Sequence, residues 1–81
     1  MMLSVRLFAR AKDLAGSECV TLEIPDGASV AEVRRCLAEA RPSLSSLLQR
    51  SAFAVNNEFA DDTRAVPANA EVALIPPVSG G

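Results

Sequence analysis

One stretch of this chain carries the signals of a long amphipathic helix, and that limits the folds open to it. Ser29-Val30-Ala31-Glu32 is a capping box, in which the Ser29 hydroxyl accepts from the Glu32 N–H and the Glu32 side chain reaches back. Val30, Val33, Leu37 and Ala40 then recur at i, i+3, i+7 and i+10 as a single apolar stripe. Glu32, Arg35 and Glu39 fall off the stripe, and Pro42 stops the helix because the residue before a proline avoids the α region. A helix with one apolar stripe must bury it against another layer.

The segments on both sides of the helix alternate with the period of half-buried strands. In Leu3 to Ala9, residues Leu3, Val5 and Leu7 share one face, and Ser4, Arg6 and Phe8 the other. Ala11 to Leu14 reads as a helical turn closed by Gly16. Glu18 to Ile24 alternates again, with Val20, Leu22 and Ile24 inward and Glu18, Thr21 and Glu23 mostly outward. Pro25-Asp26-Gly27 ends that strand with turn chemistry. After the main helix, Leu44, Leu47 and Leu48 suggest a short helical segment. Phe53 to Val55 and Glu58-Phe59 form a hairpin across Asn56-Asn57, with loops at Asp61-Asp62 and Pro67 to Asn69. Glu71 to Ile75 is the last strand, with Val72 and Leu74 facing the helix and Ala73 and Ile75 facing away. The order β-β-α-β-β-β predicts an α+β fold: a ubiquitin-like β-grasp, with a mixed sheet of four to five strands and one main helix on one face. By analogy to that fold, the first and last strands lie side by side and parallel in the sheet centre. Residues 1–75 form the domain and residues 76–81 a flexible C-terminal tail.

Composition narrows the function. The chain has 81 residues, 49% hydrophobic and 22% charged, which suits one domain with a true core. Net charge is −2; the eight cationic residues are scattered, and aromatics are limited to Phe8, Phe53 and Phe59. Nucleic-acid binding, which needs clustered cations or stacking rings, is not expected. No apolar run approaches the roughly 18 residues of a membrane span, and no signal peptide opens the chain, so a cytoplasmic location is expected. Cys19 and Cys36 lack CxxC spacing and the chain has no histidine. They are expected to be buried or half-buried free thiols, with no metal site and no Cys-His nucleophile.

The tail carries the functional signal. The last strand runs into Pro76-Pro77-Val78-Ser79-Gly80-Gly81. Pro76 and Pro77 fix φ and favour an extended course, Val78 offers an apolar contact, and Ser79-Gly80-Gly81 is slim. Six extended residues reach about 20 Å, enough to thread a pocket in a partner while the domain docks outside. Glycine lets a backbone approach another surface closely. The Gly81 carboxylate is a poor acyl donor until it is activated, most simply as an acyl-adenylate. The chain carries neither GxxxxGK[ST] nor GxGxxG, so ATP chemistry belongs to another protein. This makes the chain a substrate or carrier rather than a catalyst on its own. The simpler reading is an ordinary frayed chain end.

The expected docking face is the sheet surface opposite the helix, where Phe8 and Ile75 fall and Phe59 sits beside them. In the alternative, Phe59 packs inside under the Asp61-Asp62 loop and Phe8 joins the core. Arg6 and Arg10 flank the patch as rim cations or are simply solvated.

Leu7-Phe8-Ala9-Arg10 with Asp13-Leu14-Ala15-Gly16, Ala54-Val55-Asn56, and Glu71 through Gly81, ending in IPPVSGG, together resemble the small subunits of molybdopterin synthase, which are ubiquitin-like sulfur carriers. The resemblance covers essentially the whole chain. It implies that an E1-like activating enzyme adenylates the Gly81 carboxylate with ATP and that a sulfur donor protein converts it to a thiocarboxylate. The tail, with Gly80 and Gly81 at its reactive tip, then enters the large synthase subunit and passes sulfur to cyclic pyranopterin monophosphate, building the dithiolene of molybdopterin. The implied assembly is a heterotetramer with two central large subunits. Partner contacts fall to Phe8, Phe59, Ile75, Pro76, Pro77, Val78 and Ser79. No bound cofactor is implied. A carrier for another pathway, such as thiamine thiazole synthesis or amino-acid sulfuration, a ubiquitin-like protein modifier, and a binding module with an inert tail remain the alternatives.

Overall fold

The computed structural model describes residues 1–77. Strand β1 (Met2–Leu7) leads into helix α1 (Ala9–Ala15) and strand β2 (Cys19–Glu23). Helix α2 (Val30–Ala40), a 3-10 turn (Pro42–Leu44) and the one-turn helix α3 (Ser45–Leu48) follow. Strands β3 (Ala52–Val55), β4 (Glu58–Ala60) and β5 (Val72–Ile75) complete the chain. The five strands form one mixed sheet in the order β2-β1-β5-β3-β4. β1 and β5 are parallel, pairing Val5 with Val72, Arg6 with Ala73 and Leu7 with Leu74. The β-grasp expected from the element order is therefore the fold, with the first and last strands adjacent.

The core forms where the inward row of each strand meets the α2 stripe. Leu3, Val5, Leu7, Val20, Leu22, Phe53, Val55, Val72 and Leu74 are buried against Val30, Val33 and Leu37. Leu44, Leu47 and Leu48 are also buried, which explains the leucine spacing after Pro42.

Several local expectations change. β1 ends at Leu7, and Ala9 turns into α1 with φ 50°, so the helix runs longer than Ala11 to Leu14. Gly16 closes it in the left-handed region at φ 70°, its N–H donating to Lys12 O. Glu18 lies outside β2, and its carbonyl accepts from Leu7 N–H at 2.8 Å. Ala40 is exposed, because the stripe stops contacting the core after Leu37, one turn earlier. Cys19 is exposed rather than buried, since the alternation that sends Val20 inward sends Cys19 out; Cys36 is half-buried.

The segment after β4 wraps the start of α2. The first amides of a helix lack partners within it. Here Arg64 O accepts from Val30 N–H at 2.9 Å and Asp62 O from Ala31 N–H at 3.0 Å. Ser29 Oγ accepts from Glu32 N–H at 3.3 Å, the Ser29 half of the capping box. Val66 is buried beneath this wrap, its N–H donating to Ala28 O.

Candidate functional site: the open face of the sheet and the root of the tail

α2 covers one face of the sheet, so the residues alternating with the core face the other way. Residues paired directly across strands share a face. The pairings Cys19–Arg6, Arg6–Ala73, Ala73–Ala54 and Ala54–Phe59 therefore make one row that crosses all five strands on the face opposite α2. Ile75 pairs with Ala52 in the next row. Phe8 lies one residue past Leu7, as Ile75 lies one past Leu74, so the two sit at the same level of the parallel ladder. Phe8 keeps an extended backbone, φ −128° and ψ 157°, which continues the outward phase of Ser4 and Arg6.

The structure thus brings Phe8 and Ile75 together and adds Phe59 at the β4 edge. Phe59 is 75% exposed and Phe8 42% exposed, so neither is a core residue and the inward reading of each is set aside. Alanines at positions 52, 54 and 73 keep the surface between them low. Two depressions mark this face. One of about 350 Å³ lies among Ser4, Arg6, Glu18, Cys19, Ala70, Glu71 and Val72. A smaller one of about 70 Å³ lies among Arg6, Phe8, Ala54, Asn57, Glu71, Val72 and Ala73.

Arg6 is exposed, as the solvated reading expects. A rim position was one expectation for it, yet β1 is the second strand of five, and Arg6 stands in line with the apolar row. Its Cζ lies 5.7 Å from the Phe8 ring centroid, within cation–π reach. The alternation puts Arg6 on this face and the expected central first strand keeps it off the sheet edge; the register sets it in line with Cys19 and Ala73. Arg10 is exposed on α1.

The turn at Asn56-Asn57 stiffens the far end of the face. Both residues have positive φ, 51° and 69°, as a type I′ hairpin turn requires. Asn56 Oδ1 accepts from Glu71 N–H at 2.9 Å, and Asn56 N–H donates to Glu71 O at 2.7 Å. The hairpin is therefore tied to the start of β5. β5 lies between β1 and β3, so the tail leaves from the middle of the sheet, beside Phe8 and Ala52. Pro76 is half-buried and Pro77 exposed. Val78, Ser79, Gly80 and Gly81 lie outside the described residues.

Guanidinium, phenyl rings, a branched aliphatic and small alanines suit a protein surface as ligand. Among the described residues no helix is long and apolar enough to cross a membrane, and no three His, Cys, Asp or Glu side chains gather as metal ligands.

The ThiS family model matches residues 5–81. The molybdopterin synthase sulfur carrier subunit of Chlamydomonas reinhardtii is 36% identical over 83 residues, covering all of both chains. That of Arabidopsis thaliana is 38% identical, covering 98% of this chain and 82% of its own. The crystal structure of small archaeal modifier protein 1 from Haloferax volcanii superposes with a TM-score of 0.87 at 31% identity, covering both chains fully. With the β-grasp sheet, the open apolar face and the tail root on the same scaffold, the chain belongs to the ThiS family, alongside the molybdopterin synthase sulfur carrier subunits.

Proposed function

We propose that this chain is the sulfur carrier subunit of a molybdopterin synthase. The observation that carries the reading is the end-to-end match to proteins of that name, together with a fold that delivers the C-terminal tail from the sheet centre beside an open apolar face. The Gly81 carboxylate attacks the α-phosphate of ATP on an E1-like activating enzyme, pyrophosphate leaves, and an acyl-adenylate forms. Sulfide-level sulfur delivered by a donor protein attacks the acyl carbon, AMP leaves, and a thiocarboxylate remains. The sulfur is anionic and nucleophilic, and no Cβ on Gly81 obstructs it. The domain docks on the large synthase subunit through Phe8, Phe59 and Ile75, with Pro76 and Pro77 aiming Val78, Ser79, Gly80 and Gly81 inward. There the thiocarboxylate sulfur attacks cyclic pyranopterin monophosphate to form a thioester, water cleaves its bond to the Gly81 carbonyl carbon and returns the free carboxylate, and two such transfers supply the dithiolene sulfurs. Two carriers flank two large subunits in a heterotetramer. The large subunit supplies the catalytic groups, and the activating enzyme consumes the ATP.

Intact-mass measurement after incubation with ATP, the activating enzyme and a sulfur donor tests this directly. The expected gain equals the exchange of one oxygen for sulfur, localised to Gly81. Gly81→Ala places a Cβ beside the reacting carbon, so it loses thiocarboxylate formation heavily while its melting temperature stays that of the parent. Normal thiocarboxylation of Gly81→Ala removes the slim-tip argument.

The resemblance to small archaeal modifier protein 1 favours a second reading, attachment of Gly81 to target lysines. That reading predicts covalent ladders on denaturing gels that survive thiol reagents.

A further inference from the structure

We infer that Arg6 makes the docking face selective for a protein surface that presents a carboxylate among apolar groups. The inference rests on the docking role proposed above. Arg6 pairs across the sheet with Cys19 on one side and Ala73 on the other. Its row continues through Ala54 to Phe59, and Phe8 stands two residues along the same strand direction. A partner that covers Phe8 and Ile75 therefore covers Arg6 as well.

The guanidinium has no carboxylate paired with it among the described residues. Among the described residues, the side-chain ion pairs engage Lys12 with Glu18, Arg34 with Asp62, Arg35 with Glu39 and Arg64 with Glu58. Arg6 is in none of them. Glu18 and Glu71 line the same depression as Arg6, yet neither closes an ion pair with it. The Phe8 ring attracts the guanidinium but offers no hydrogen-bond acceptor of carboxylate strength.

Covering an unpaired guanidinium with apolar surface strips its water and returns nothing, a large penalty. A carboxylate opposite the fork returns two charge-assisted hydrogen bonds in planar geometry. The Phe8 ring, its centroid 5.7 Å from Arg6 Cζ, draws the guanidinium toward the apolar face. A wholly apolar partner surface is thus rejected and an acidic one accepted; the rejection is what gives selectivity.

The test is binding of the full chain to the purified large synthase subunit of the same organism, at low and high salt. Parent, Arg6→Met and Arg6→Lys chains are compared, with thermal melts to confirm that each is folded. Met keeps an apolar stem and removes the charge and the fork. Arg6→Met is expected to weaken binding roughly 10- to 100-fold. It should also flatten the salt dependence, a change that a purely structural role of Arg6 does not produce. Arg6→Lys falls between, retaining the salt slope without the bidentate contact. Equal or tighter binding by Arg6→Met, with the parent bound, overturns the inference and leaves the sulfur-carrier reading standing. Failure of the parent to bind overturns both.

Discussion

Arg34 shows how much one side chain can organise here. Its Nη1 donates to Leu48 O and to Ser51 O, the latter at 2.9 Å, and its Nη2 reaches Asp62 Oδ1 at 2.9 Å. Its Cζ stands 5.0 Å from the Phe53 ring centroid. One guanidinium thus ties α2 to the end of α3, the start of β3 and the wrap after β4. Arg34→Ala leaves those carbonyls without their donor and is expected to destabilise the fold by about 2–4 kcal/mol in denaturant unfolding. Lysine cannot span the same acceptors, so Arg34→Lys recovers only part of that loss. Asp61 is a milder case on the surface. The Thr63 hydroxyl, and then the Thr63 N–H, donate to its carboxylate and hold its pKa below the usual aspartate range. A depressed carboxyl pKa adds stability above the ordinary value, and that stability is lost as pH falls through the folded value. Thr63→Val removes the larger cause, so an NMR titration should show the Asp61 midpoint move up.

At the scale of elements, α2 was legible because its signals are local. The cap, the stripe and the proline stop all lie within fourteen residues, Ser29 to Pro42. Leu37 is fully buried in the core. Leu37→Ala should therefore cost about 2–5 kcal/mol, read as a lower unfolding midpoint with an unchanged slope. The hairpin was equally legible, because consecutive asparagines at positive φ are turn chemistry that needs no distant partner. The phase of each strand was also visible, and with it the outward course of Phe8 and Ile75. Phe59 was less certain because β4 is only three residues long, and a strand that short sets its phase through pairing with β3 rather than through its own alternation. Of the wrap from Asp61 to Val66, the sequence marks only Asp61-Asp62 as a loop, since the segment's role is to supply carbonyls to a helix start some thirty residues earlier.

For the whole molecule, the placement of β5 between β1 and β3 matters most. It puts the root of the tail in the middle of the sheet and beside the apolar face, so the proposed docking and tail delivery would share one geometry. The exposed rings are absent from the core, so stability and recognition separate. Phe59→Ser should leave the unfolding free energy within about 0.5 kcal/mol of the parent, because it is a surface substitution. The same change should weaken binding to the proposed large-subunit partner by more than about 1 kcal/mol, measured in paired titrations of parent and variant.

The sequence by itself determined the elements, their inward and outward faces and the family, because alternation, capping and turn chemistry act between near neighbours. Tertiary structure alone decided that Arg6 stands in register with Cys19 and Ala73, that Ala40 meets solvent, and that Arg34 joins three segments. Those outcomes depend on strand order and on carbonyls contributed from distant parts of the chain. Such long-range pairings are set by the packed sheet, not by the residues on either side of each position.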